Sequence, residues 1–155
     1  MPIIELQGNL FNSSAQTLVN TVNCVGVMGK GIALDFKQHY PDMFKAYQKI
    51  CRLYLLSPGE ILPYSKADKL ILNFAIKQDW RKPSRLSWIE ECLEKFVVNY
   101  QRLKITSIAF PHIGALNGGI PWEQTHLLML KYLTPLDLNI EIIQFNPSLT
   151  SNVNI

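Results

Sequence analysis

The stretch Asn20-Thr21-Val22-Asn23-Cys24-Val25-Gly26-Val27-Met28-Gly29-Lys30-Gly31-Ile32-Ala33 constrains the fold more than any other part of the chain. Thr17-Leu18-Val19 leads into it as an apolar strand signal. Ile32-Ala33-Leu34-Asp35-Phe36-Lys37 follows as the opening of a helix. Glycines let backbone approach a ligand, and the unpaired N–H groups of a first helical turn favour an anion. Neither the Walker loop nor the GxGxxG fingerprint is present. Asn20 and Asn23 supply neutral donors and acceptors suited to hydroxyls, so a diphosphate carrying riboses fits the pattern.

Helix and strand signals alternate along the rest of the chain. Strands are expected at Ile3 to Leu6, Thr17 to Asn20, Glu60 to Pro63, Lys69 to Phe74, Ile105 to Phe110 and Ile140 to Phe145. One helix should begin near Gly31 and stop before Pro41. A second should cover Asp42 to Arg52, with Met43, Phe44, Tyr47 and Ile50 on its apolar stripe. Pro83-Ser84 should open a long third helix, with Ser87 and Glu90 at capping-box spacing, and Pro121-Trp122-Glu123 a fourth. Strands separated by helices imply a layered α/β sheet, at least partly parallel, in a single domain over residues 1–147. Ser148 to Ile155 reads as a frayed C-terminal tail.

Composition excludes several classes. With 48% hydrophobic and 17% charged residues, the chain of 155 residues can bury one core and is not disordered. No apolar run is long enough for a membrane span, and Met1-Pro2-Ile3-Ile4-Glu5 lacks a secretory signal's basic and apolar regions. A cytoplasmic location, without membrane attachment, is therefore expected. Cys24, Cys51 and Cys92 form no CxxC pair, which favours reduced thiols over a metal site or disulfides. The net charge of +3 admits an anionic ligand without requiring one.

In such folds ligands bind beyond the carboxyl ends of the strands. Besides the opening loop, Pro111-His112-Ile113-Gly114-Ala115-Leu116-Asn117-Gly118-Gly119-Ile120-Pro121-Trp122 is a second glycine loop entering a helix. Lys77-Gln78-Asp79-Trp80-Arg81, Asn146-Pro147 with Phe145, and Gly8-Asn9-Leu10-Phe11 follow other strands. His112 is expected to satisfy a local hydrogen bond, Trp88 to pack on a helical stripe, and Cys24 to be a small buried residue.

Taken together, these segments resemble a macrodomain, the ADP-ribose-binding α/β fold, over essentially the whole chain. Gly8-Asn9-Leu10, Val19-Asn20-x-x-Asn23 and the loop from Gly26 to Ala33 match that family in order and spacing. The long opening motif is similar to the branch holding the terminal ADP-ribose glycohydrolase and the DarG antitoxins, which remove ADP-ribose from thymidine in DNA. Asn73-Phe74-x-x-Lys77-x-x-Trp80-Arg81-x-Pro83-Ser84 resembles that branch's catalytic-lysine segment. Gly114-x-x-Asn117-Gly118-Gly119-x-Pro121-Trp122 resembles its second phosphate loop.

The resemblance implies a three-layer α/β/α fold with a mixed, mostly parallel central sheet. It implies an ADP-ribosyl hydrolase in which Lys77 acts at the anomeric carbon of the distal ribose and Asn23 orients that ribose. Asn20, Gly26, Met28, Gly29, Lys30, Gly31 and Ile32, with Gly114, Leu116, Asn117, Gly118 and Gly119, would surround the diphosphate and distal ribose. Asn9, Leu10, Phe145 and Asn146 would serve the adenosine half.

The implied ligand is ADP-ribose or ADP-ribosylated DNA, with a cognate ADP-ribosyltransferase toxin as partner to a monomeric antitoxin and no cofactor or metal. Three positions depart from the family. Asn9 replaces the usual aspartate, Leu116 a common glycine, and Asp79 is placed to pair with Lys77 and keep it protonated. Such pairing leaves a binding module without significant hydrolysis as an alternative. Hydrolysis of carboxylate or O-acetyl ADP-ribose esters is another. Gly118, where the protein-directed glycohydrolase has an aspartate, favours the DNA-directed branch. The absence of a dense basic run implies nucleic-acid contact local to the modified nucleotide.

Overall fold

Parallel strands need crossover connections, and here the apolar runs and amphipathic helices supply them in alternation. A computed structural model describes residues 2–115 and 117–155, so the Leu116 expectation lies outside the described residues. The elements are β1 (Ile3–Gly8), a 3₁₀ turn (Leu10–Asn12), β2 (Thr17–Val22), α1 (Gly31–His39), α2 (Pro41–Arg52), β3 (Ile61–Lys66), β4 (Lys69–Ala75), α3 (Leu86–Asn99), β5 (Ser107–Pro111), α4 (Trp122–Leu133), β6 (Asn139–Phe145) and β7 (Val153–Asn154). The strands form one sheet in the order β3-β4-β2-β5-β6-β1-β7. Its five central strands run parallel, and β3 and β7 are antiparallel edges. This is the mixed, mostly parallel sheet that was expected.

Two cores make the three layers. On one face Ile89, Cys92, Leu93 and Phe96 of α3 and Met129 and Leu133 of α4 pack on the sheet. Phe110 meets Phe74 and Phe96 edge-on there, at centroid distances of 6.0 and 5.7 Å, which suits the quadrupoles of the rings. On the other face Phe36 of α1 and Met43, Tyr47 and Cys51 of α2 pack over Leu18, Val22 and Ile71. β4 is buried along nearly its whole length, as a parallel strand covered on both faces must be.

The pairing of β2 with β5 places the candidate site. Among the described residues it consists of Thr17 with Ile108 and Leu18 with Ala109. Beyond those pairs β2 continues to Val22 against β4, while β5 continues to Pro111 against β6. The glycine loops that follow β2 and β5 therefore stand on either side of the place where the sheet divides. Open α/β sheets bind ligands at this kind of point.

The structure departs from sequence expectation at three points. Residues 83–84 do not open α3: the helix starts at Leu86 with Arg85 as N-cap and no side-chain cap, so Ser87 and Glu90 form no capping box. The Ser84 amide instead donates to Gly118 O at 2.9 Å, which holds the chain extended ahead of the helix. Residues 148–155 are not a frayed tail, because Val153 and Asn154 pair antiparallel with Gln7 and Leu6. His112 makes no local hydrogen bond through Nε2, which is buried without a partner. Its ring stacks on Trp122 at 3.6 Å, and Trp122 in turn stacks on His126, which contacts Glu5 at 3.0 Å.

Burial pushes the His112 pKa down to about 4, against a partial counter-pull from Glu5. The unfolded chain binds a proton near the ordinary histidine value that the folded chain refuses. Stability is therefore full above about pH 6.5 and falls as pH drops towards about 4. His112→Phe keeps the stack and should flatten the decline in denaturant stability from pH 7 to pH 4.5 by about 1–2 kcal/mol, allowing for screening at a half-buried ring. An unchanged slope would show that His112 is not the group responsible.

Candidate functional site

Loop 1, residues 23–30, is folded around one amide. Asn23 Oδ1 accepts from the amides of Val25 at 3.0 Å and Val27 at 3.4 Å, and its Nδ2 donates to Val27 O at 2.7 Å. The Tyr47 hydroxyl donates to both Asn23 O and Asn23 Oδ1, each at 2.8 Å. Gln48 Nε2 reaches Gly26 O at 3.4 Å. Tyr47 was expected on the apolar stripe of its helix; its adjacency to a buried asparagine is a tertiary fact with no local sequence signal.

Several residues expected at the ligand are buried within the scaffold of the site. Asn23 is buried and its Oδ1 is spent on loop 1 and on Tyr47, so it shapes the loop that borders the site. Asn20 is fully buried: its Nδ2 donates to Asn73 Oδ1 at 3.0 Å and lies 3.9 Å from Met28 Sδ. Its Oδ1 has no donor among the described residues, an arrangement that costs about 1–3 kcal/mol. Met28 is a core residue, and Gly26, at φ 84°, packs its Cα side against Gln48 and Cys51. The Leu10 side chain is likewise buried, in the core cluster that holds Phe36. A buried position in the same motif builds the exposed ones.

Loop 1 leaves Val25, Val27, Gly29 and Lys30 exposed, followed by Gly31 at the start of α1. Lys30 is the N-cap in an extended conformation, and Leu34 N is the amide that returns to Lys30 O. The earlier first-turn amides have no helical acceptor, which leaves positive partial charge at the helix end.

Loop 2 is built by glycines with their faces turned inward. A Cβ on Gly118 would sit 2.5 Å from Gly114 O, and one on Gly114 would sit 2.8 Å from Ile89 Cδ1. Gly114 O accepts from Ile120 N at 3.0 Å, and Gly118 O from Ser84 N. Asn117 and Gly119 are exposed. The two loops approach at Gly31, where a Cβ would come within 2.7 Å of Asn117 Nδ2.

Lys77 stands where they meet. Ile76 N bonds Val22 O at 3.0 Å and Cys24 N bonds Gln78 O at 3.3 Å, so the chain after β4 runs beside the start of loop 1. Lys77 Nζ donates to the Asn117 carbonyl of loop 2. Partial burial pushes its pKa below the ordinary lysine value, and the positive charge of Lys30 adds to the effect. Asp79 was expected to oppose this by pairing with Lys77. It pairs with Arg81 instead, through Oδ2 at 2.6 Å and Oδ1 at 2.9 Å, and also accepts from the Arg81 amide. That partner holds the Asp79 carboxyl well below the usual carboxylate range. Cys24 is pushed up to about 12 by burial, so it is no nucleophile at neutral pH.

The remaining expected residues gather at the other end of the same edge. Asn146 N donates to Gly8 O at 2.9 Å, and the exposed Phe145 is in register with Gly8 at the ends of β6 and β1. Asn9 Oδ1 caps the 3₁₀ turn by accepting from Phe11 N at 2.9 Å, and Asn9 N donates to Asn152 Oδ1 at 2.8 Å. Asn152 was missed because its segment was read as a tail. Among the described residues no cluster of His, Cys, Asp and Glu is arranged to hold a metal ion, and no helix is long and apolar enough to cross a membrane.

The comparisons agree with this geometry. Residues 19–129 match the family model described as Macro domain. The chain is 40% identical over 146 residues to a Thermus aquaticus protein named DNA ADP-ribosyl glycohydrolase, covering 92% of this chain and 40% of that protein. The chain thus spans about two fifths of the length of that curated relative. Among solved structures, the macrodomain of Thermus aquaticus DarG superposes with a TM-score of 0.85 at 39% identity, covering 94% of this chain and 99% of that one. Thermosipho africanus DarTG in complex with ADP-ribose superposes with a TM-score of 0.83 at 35% identity, covering 88% of this chain and 40% of that one.

Two glycines differ in what surrounds them. Gly118→Ala places a methyl against backbone and should cost about 1–3 kcal/mol in denaturant stability. A Cβ on Gly29 meets just Val27 Cγ1, at 3.5 Å, so Gly29→Ala should alter stability by less than about 0.5 kcal/mol. Calorimetry should nevertheless show its affinity for ADP-ribose lowered about tenfold or more. Full affinity in Gly29→Ala would remove backbone approach at that residue.

Proposed function

The chain belongs to the macrodomain family, and on that premise we propose that it is an ADP-ribosyl hydrolase that releases ADP-ribose from thymidine-linked DNA. The observation that carries the reading is Lys77. A lysine with depressed basicity lies between two glycine loops, bonded to one and flanked by the cation of the other. In this reading Gly29 to Ile32 and Asn117 to Gly119 hold the diphosphate with backbone amides, and Phe145 and Asn146 receive the adenosine half. The distal ribose then reaches Lys77.

Chemistry follows from the neutral amine. Its lone pair forms a bond to the anomeric carbon as the bond to the base breaks, and the base takes the proton lost by the lysine nitrogen. Water then replaces lysine at that carbon, giving free ADP-ribose and the restored amine. The pairing of Asp79 with Arg81 favours hydrolysis over a binding-only reading, since among the described residues no carboxylate is paired with Lys77. As an antitoxin the protein would act in the cytoplasm, as a monomer, against the product of a cognate ADP-ribosyltransferase. Cys24, Cys51 and Cys92, free and buried, suit a reducing compartment. The folded unit proposed for this work is residues 1–147, with 148–155 completing its edge.

Lys77→Ala should lower the rate of ADP-ribose release from a modified thymidine oligonucleotide by at least about a hundredfold while free ADP-ribose still binds. Unchanged turnover would sink the mechanism. Because Lys77 must lose its proton, release should rise with pH and level off once the amine is neutral. Lys30→Gln should move that rise to higher pH, since one of the two causes of the depressed basicity is gone. A pH–rate profile that ignores Lys30 would detach it from the site.

A further inference from the structure

Hydrolysis at Lys77 leaves the segment that follows it without an assigned task. Residues 78–85 run from one glycine loop to the other: Gln78 O accepts from Cys24 N of loop 1, and Ser84 N donates to Gly118 O of loop 2. Between these anchors the chain makes a tight turn, closed by Lys82 N to Asp79 O at 3.1 Å. The strap lies along the cleft at its reactive end, with Lys77 at its root.

Its side chains are unlike those of a covered connection. Trp80 is 49% exposed, a costly way to place an indole, whereas Trp122 is stacked between His112 and His126. The Arg81 guanidinium stands 5.3 Å from the Trp80 ring centre, and its fork is fixed by Asp79. Lys82 and Arg85 are also exposed, and Arg85 stands over Trp88 at 4.8 Å. Between residues 80 and 85 there are three cations and one aromatic ring with no acid. An aromatic plane interleaved with cations beside a reactive centre is the arrangement that holds unpaired bases and their phosphates.

We propose that this strap is a platform for single-stranded nucleic acid, on which Trp80 stacks a base adjoining the modified nucleotide while Lys82 and Arg85 take its phosphates. The proposal rests on the reading of the site as a hydrolase of ADP-ribosylated DNA and names what selects the acceptor. The strap is short, so it grips a few nucleotides and not an extended track. Arg81, already committed to Asp79, serves to position the ring. Base edges are left unread, so the grip tolerates sequence and requires an unpaired strand.

The test uses a fluorescent, unmodified thymidine-rich single strand, with anisotropy as the readout, and free ADP-ribose binding as a check that the cleft is intact. Trp80→Ala should weaken strand binding about tenfold or more, and Trp80→Phe should recover most of it. Lys82→Ala with Arg85→Ala should reduce the slope of log affinity against log salt by about 1.4, two phosphates at ~0.7 each. In hydrolysis, Trp80→Ala should raise KM for the modified oligonucleotide with little change in kcat. Strand binding that is absent in the wild type, or identical in all three variants, overturns the proposal. Failure of the wild type to release ADP-ribose from DNA, with Trp80-dependent strand binding intact, would overturn the hydrolase reading and support the platform.

Discussion

The contact on which the site depends is the buried hydrogen bond from the Tyr47 hydroxyl to Asn23. Asn23 follows β2 directly and folds loop 1 onto its own amide, while Tyr47 projects from the middle of α2 with none of its surface exposed. The bond therefore joins strand, loop and helix in one place. Burial holds the Tyr47 phenol protonated, above its ordinary range, so the donor persists at any pH at which the protein is folded. Loss of one partner would leave the other buried and unpaired at about 1–3 kcal/mol, and the penalty would fall on loop 1, since the sheet beneath has its own ladder. A loop held this way presents Gly29 to Gly31 in a fixed path. That is what backbone recognition of a diphosphate requires.

The sheet supplies the second half of the arrangement. β2 and β5 part after Leu18 and Ala109, so their loops are carried apart and then turned back towards each other by α1 and by the chain leading to α4. Gly31 and Asn117 meet across the gap: a Cβ on Gly31 would come within 2.7 Å of the Asn117 side-chain amide. Lys77 reaches the same point from the third strand, β4. Three successive strand ends thus converge on one amine through ordinary parallel-sheet geometry.

Much of the fold was legible in the sequence because burial patterns are local. The apolar run Leu70 to Phe74 and the stripe Ile89, Cys92, Leu93, Phe96 could be assigned from spacing, and the parallel sheet followed. The site was legible in outline for the same reason, since glycine loops after strands are local too. Which motif residues face a ligand was not legible. Asn20 and Asn23 differ by three residues, yet one is sealed against Asn73 and the other folds a loop, and both depend on residues far along the chain. β7 was missed because a two-residue edge strand carries no periodicity. Asn152, just ahead of β7, fills the space left by Gly8, which a Cβ would occupy at 2.0 Å from Asn152 Oδ1.

Asp79 shows how the charge around Lys77 is arranged. A carboxylate two residues from a lysine in an extended segment projects from the same side of the chain, so sequence spacing favours a pair. The backbone turns at Asp79 instead, and the turn delivers the Arg81 amide and guanidinium to the same carboxylate. Two charge-assisted contacts to arginine in a fixed fork outcompete one mobile ammonium. The consequence reaches both neighbours. Lys77 is left facing Lys30 without a counter-charge, which favours its neutral form, and Arg81 is held beside Trp80. One acid, turned away from the amine, therefore serves the chemistry by its absence and orders the aromatic strap by its presence.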